Sequence, residues 1–241
     1  MGTVEEIFRV EPTIEKRAIT SLTQSINALG AVLVLFGLSN LLTLYSLFEL
    51  SRLLDIYKAQ QIEPINWFFY ARLWGFLNLI TGVLLLVVIY LYSRVSNLML
   101  LPKASLSSLI LSFWGVLISY DGFLMWIDPL PPGELLESIQ RTPDYVYIML
   151  YLVPTVGYII MGYSFVNIKS RIVFQSLIKV GGLMILASGI LFAIFSDISY
   201  ILLTLGSFIL GVSLIKIKEN SITELINQRI QQSKSLQIHS S

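Results

Sequence analysis

The 241-residue chain contains no cysteine, so disulfides, iron–sulfur clusters and thiolate metal sites are excluded. It has a single histidine, His239, close to the last residue. A haem held between helices would lack a histidine ligand, and the methionines (Met99, Met125, Met149, Met161, Met184) are a poor substitute. The histidine pairs of intramembrane zinc peptidases are missing, as is a serine with a neighbouring base. Charge is also scarce: 13% of residues are Asp, Glu, Lys or Arg, about half of the roughly 25% that keeps a soluble domain's surface wet. Neither sign dominates, with 16 Lys and Arg against 15 Asp and Glu, which excludes a binder of polyanionic nucleic acid. In place of charge, 55% of the chain is apolar and the mean hydropathy is +0.76. This composition specifies an all-α integral membrane protein, a single polytopic domain over residues 1–241.

Stretches free of charged residues predict six transmembrane helices, at about 26–48, 73–93, 104–127, 145–168, 180–196 and 198–215. The last two are at the short limit for crossing roughly 30 Å of hydrocarbon, and Asp197 is expected to form the turn between them. A re-entrant hairpin is the rival for that pair; Lys216 and Lys218 follow at once as an anchor and favour two crossings.

An even number of spans puts both termini on one side. That side collects Arg9, Lys16, Arg17, Arg94, Lys103, Lys169, Arg171, Lys179, Lys216, Lys218, Arg229 and Lys234, against Arg52, Lys58, Arg72 and Arg141 on the other. The excess of basic residues predicts cytoplasmic termini in the cytoplasmic membrane. Residues 1–18 are rich in charge and hold no apolar core of a signal peptide, so the first span is expected to open insertion itself.

Two short amphipathic helices are expected at the cytoplasmic face. Thr3-Val-Glu-Glu6 reads as a capping box opening a helix that Pro12 breaks. Ser221-Ile-Thr-Glu224 repeats the pattern in the tail, where Ile222, Leu225, Ile226 and Ile230 form a stripe that suits lipid or a partner protein. On the opposite side, Leu50, Leu53, Leu54 and Tyr57 continue the helical period beyond span one until Pro64. Trp67-Phe68-Phe69-Tyr70, with Trp74, is expected to be an aromatic belt at the entry of span two. Residues 128–144 hold Pro129, Pro131, Pro132 and Pro143 and predict a stiff, turn-rich loop. Its carboxylates, Asp128, Glu134, Glu137 and Asp144, match no calcium-loop spacing and read as a solvated acidic surface.

Few residues inside the spans carry chemistry. Asp121 is the sole charged residue within one, about 9 Å from the outer end of span three at 1.5 Å rise per residue. Such acids are costly in lipid, and cation or proton handling stands beside a structural hydrogen bond as its role. Pro154 is expected to kink span four. Gly75 and Gly82 on span two recur on one helix face, and the same seven-residue step separates Gly30 from Gly37 and Gly182 from Gly189. Small residues so spaced let helices approach closely, within one bundle or against another subunit. Asn78 shares the Gly75 face and is expected to hydrogen-bond across it. Gly75–Leu84-type and Gly182-type segments also resemble each other three positions after Arg72 and Lys179, which suggests a 3+3 inverted repeat.

The hairpin from Lys179 to Lys216, with Gly182, Gly189, Gly206 and Gly211 around a tight turn, resembles the glycine-punctuated hairpins of bacterial acid-resistance membrane proteins. The layout also resembles the six-span permease subunits of some ABC exporters: an interfacial N-terminal helix, both termini inside, and a tight outer turn before the last span. The second resemblance implies a transport role for this architecture.

From the residues themselves, the expectation is a protein that is not an enzyme and carries no cofactor or metal. The paired aspartates of six-span headgroup transferases are absent. Its partners are the lipid bilayer and other membrane subunits, which it packs against and positions in a respiratory or transport assembly. The alternative is a permease moving a small solute, ion or lipid-like substrate, with Asp121 and Pro154 at its centre.

Overall fold

The computed structural model of the chain describes residues 12–99, 101–168, 174–192, 196–218 and 223. Among the described residues there are seven α-helices and no strand: α1 (Pro12–Gln60), α2 (Trp67–Met99), α3 (Ala104–Ile127), α4 (Pro132–Arg141), α5 (Asp144–Val166), α6 (Gln175–Phe192) and α7 (Ser196–Ile215). Helices α1, α2, α3, α6 and α7 are long and apolar enough to cross a membrane, and α5 contains a shorter apolar stretch, Leu150–Val166. The expected amphipathic segments at 3–11 and 219–230 lie outside the described residues, apart from Thr223.

The expected first span is the middle of a much longer element. Helix α1 runs 49 residues without interruption, about 73 Å at the helical rise. No proline lies between its first residue, Pro12, and Pro64, and proline suits a first helical position because that N–H needs no partner. In its polar first third hydroxyls bond back one turn and so need no outside partner: Thr23 Oγ1 donates to the Ile19 carbonyl at 2.9 Å and Ser25 Oγ to that of Ser21 at 2.9 Å. The helix ends where Gln61 turns left-handed (φ 56°) and its N–H donates to the Tyr57 carbonyl at 2.7 Å.

Six helices form a closed ring in the order α1, α2, α3, α5, α6, α7, with α7 packed back against α1. The contact between α3 and α5 is the least extensive of the six. Every helix sends apolar side chains into one interior cluster, among them Phe36, Leu85, Leu111, Tyr158, Ile185 and Leu210.

A second, smaller cluster caps one end and corrects two expectations. Residues 128–144 are not simply a loop: Pro132 opens helix α4 at its first position, and Leu130 and Leu135 pack on Leu50, Leu53, Trp67, Ala71 and Met125. Glu134 near its start and Arg141 near its end suit the helix dipole, and Glu137 pairs with Arg141. Four prolines suggest turns, but only Pro132 falls inside 132–141, at the first helical position where proline is tolerated, and Pro131 is the N-cap before it. Trp67 does not belong to an aromatic belt. It is fully buried, and its Nε1 donates to the Leu130 carbonyl at 2.8 Å, while Phe68 and Phe69 are exposed. Asp197 also moves: it sits in the first turn of α7, where a carboxylate is stabilised by the N-terminal dipole, and so is helical rather than part of a turn.

Candidate functional site

The glycine steps mark where helices of this chain meet. A Cβ on Gly75 would lie 2.5 Å from the Trp126 nitrogen and 2.8 Å from the Gly122 carbonyl; one on Gly82 would lie 2.7 Å from the Gly115 carbonyl. The seam of α2 is therefore filled by α3, glycine against glycine. Gly30 and Gly37 face α7 in the same way, and Gly182 and Gly189 face α5 through Gly162, Thr155 and Ile159. Gly181 meets Gly206 between α6 and α7. Gly115 and Gly122 are themselves seven apart in span three, the same step that the sequence shows in spans one, two and five.

These pairings bear on the inverted repeat. A 3+3 repeat carries span two onto span five and span three onto span six. The Gly75–Gly82 seam faces the following span, α3, whereas the Gly182–Gly189 seam faces the preceding one, α5. The two similar segments thus lie on spans that such a repeat interchanges, but their glycine seams occupy faces that it does not.

Asn78 is buried on the same face, and its Cβ packs where a Cβ on Gly122 would stand, 2.9 Å away. Among the described residues its amide makes no hydrogen bond across that contact. The cross-helix polar bonds lie elsewhere. Ser39 Oγ of α1 and Thr81 Oγ1 of α2 are 2.6 Å apart, with Thr43 Oγ1 at 3.2 Å from Thr81. Ser188 Oγ of α6 meets Ser199 Oγ of α7 at 3.0 Å, and Ser199 also donates to the Ser188 carbonyl at 2.8 Å. In lipid such hydroxyls gain little from facing outward, so pairs of them tie neighbouring helices. Single serines and threonines are too common in sequence to single these out.

Pro154 is buried within α5, which continues through it to Val166. Asp121 does not point into the ring. It is exposed on the surface of α3, and among the described residues it has no ion pair or hydrogen bond. Beside it Tyr120 is 63% exposed, and Phe113, Val116, Leu124 and Ile127 continue an apolar stripe on the face away from α2. Of the helices long enough to span, α3 is the least buried, 22% of its apolar window against 39–50% in the others. No group of three or more metal-ligating side chains occurs among the described residues.

The fold and these surfaces define a multi-helix membrane-embedded protein. No protein-family model, curated protein or solved structure matches the chain.

Proposed function

We propose that the chain crosses the cytoplasmic membrane six times, with α5 as its fourth crossing and both termini inside, and acts as a non-catalytic subunit that packs against and positions partner subunits. The observation that carries this reading is Asp121. A carboxylate within a span is tolerated where it meets a donor, a cation or water, and here it stands on the outward face of the least buried helix. A partner helix supplying a lysine, arginine or hydroxyl would satisfy it. Against the permease alternative stand the apolar cluster to which all six helices contribute and the use of buried hydroxyls such as Ser39, Thr81, Ser188 and Ser199 in helix-to-helix bonds, whereas a solute path needs polar groups available near the midplane. The orientation rests on the basic end formed by Arg94, Lys103, Lys179, Lys216 and Lys218.

Purification from its own membrane in mild detergent, followed by native mass analysis, tests the proposal. Partner chains at fixed stoichiometry, lost on Asp121→Leu and largely retained on Asp121→Asn, are the expected result. A lone chain of 27.2 kDa in both the parent and the variants overturns it. Transport that Asp121→Asn abolishes without altering composition would move the permease reading ahead.

A further inference from the structure

At the basic end of the ring, α1 and α7 part to leave an open cleft of about 540 Å³. Its walls are Asn27 of α1, Phe174, and Ile215, Lys216 and Lys218 at the end of α7. Thr23 also lines it, but its hydroxyl already donates to the Ile19 carbonyl. Three features set this cleft apart. First, Lys216 and Lys218 are both exposed and, among the described residues, neither is in an ion pair. Two full positive charges outweigh the partial negative charge at the C-terminus of α7. Second, Asn27 Oδ1 is buried without a hydrogen-bond donor, and such an acceptor is costly to leave unmet. Third, Phe174 holds a left-handed backbone (φ 67°), a strained state for a bulky residue. That conformation sets its ring 5.7 Å below the Lys216 ammonium, within cation–π range.

The cleft thus offers two cations and an apolar wall of Phe174 and Ile215, with the unmet Asn27 Oδ1 buried behind them, at the basic end of the spanning helices. We propose that it is a binding site for an anionic glycerophospholipid whose headgroup carries a hydroxyl, of the phosphatidylglycerol type. The phosphate sits between Lys216 and Lys218, the Asn27 amide turns toward the cleft so that a headgroup hydroxyl donates to its Oδ1, and an acyl chain runs along Ile215 and Phe174. Basic clefts between helices on the cytoplasmic side meet the anionic leaflet, which supplies such lipids. The inference goes beyond the subunit role: it needs the bilayer but no partner protein, so a lone chain would leave it standing.

The test uses the full chain, purified and delipidated in mild detergent, with lipid added back in mixed micelles. Phosphatidylglycerol is expected to raise the thermal midpoint by about 3–6 °C more than phosphatidylcholine at equal mole fraction. Lys216→Gln with Lys218→Gln is expected to abolish that difference, whereas Arg94→Gln with Lys103→Gln, which removes the same charge elsewhere at the basic end, is expected to keep it. Asn27→Leu is expected to retain the response to phosphatidic acid and lose at least half of that to phosphatidylglycerol. Native mass analysis of the parent chain from vesicles of equal phosphatidylglycerol and phosphatidylcholine provides a readout free of variants, with at least about tenfold preference expected for the anionic lipid. Equal stabilisation by the two lipids, equal loss in both charge pairs, or a shift reproduced by inorganic phosphate alone would each overturn the proposal; the last would mark a site for a soluble anion.

Discussion

Gly30 of α1 and Gly211 of α7 face each other so closely that a Cβ on either would come within 2.6 Å of the other's carbonyl oxygen. This contact joins the first spanning helix to the last and closes the ring. Backbone meets backbone there, so no flexible side chain can yield to an added group. Leucine at Gly30 or Gly211 is expected to cost about 1–3 kcal/mol through overpacking, seen as a lowered thermal midpoint in detergent. Gly133→Ala is the control, because its Cβ would meet mainly the movable Tyr57 hydroxyl. Equal losses at all three positions would show that glycine flexibility, not close approach, is what matters.

The α2–α3 seam supports a parallel expectation. Leucine at Gly75 or Gly82 strikes the backbone of Trp126 and Gly115 and is expected to cost a similar 1–3 kcal/mol or so. The loss is expected in the isolated chain as well as in any complex, since the seam is internal. A defect seen only as failure to recover partners, with unchanged stability of the lone chain, would contradict that placement.

Ser39 and Thr81 tie α1 to α2 through a single short hydroxyl contact. Ser39→Ala and Thr81→Val are each expected to destabilise, and the double variant to lose less than the sum. The coupling expected from membrane double-mutant cycles is on the order of 0.6 kcal/mol, at most about 1.7. Strict additivity would mean that the hydroxyls do not bond in the membrane.

Trp67 anchors the cap that α4 and its flanking residues form over one end of the ring. Trp67→Phe keeps an aromatic ring but removes the donor to the Leu130 carbonyl, at an expected cost of about 1 kcal/mol, and is expected to speed proteolysis within 128–143. Trp67→Ala also empties a fully buried site and is expected to cost about 3–5 kcal/mol. Identical digestion of parent and variants would show that the cap is held by other contacts.

The absence of cysteine makes the orientation directly measurable. Ser199, which lies next to the predicted outer turn in the sequence, is fully buried against Ser188 and unsuited to labelling. Ser138 in α4 and Ser105 near Lys103 are exposed at opposite ends. In intact cells an impermeant thiol reagent is expected to modify Ser138→Cys and spare Ser105→Cys; the reverse pattern would invert the proposed orientation.

The positions of α1, α2, α3, α5, α6 and α7 were legible from the charge-free runs because a helix in lipid is a local solution: each segment satisfies its own backbone hydrogen bonds. Residues 104–127 match α3 at both ends, and the continuation past Phe48 follows from the Leu50–Tyr57 period. The same chemistry hides the rest. When nearly every face of a helix is apolar, periodicity no longer separates the inside from the outside, so the glycine steps reveal close contacts without naming the neighbour. That Gly75 meets Gly122, that Gly182 turns back to Gly162, and that Gly30 finds Gly211 some 180 residues away depend on how whole helices fit around a ring. Trp67 and Asp121 show the same division: sequence position marks one as interfacial and the other as a charge within a span, and only the tertiary packing buries the indole under α4 and turns the carboxylate outward. The sequence alone determined that this chain belongs in a membrane and where its six ring helices are centred, but not α4. Which residues meet, and which are left exposed, was decided by non-local packing.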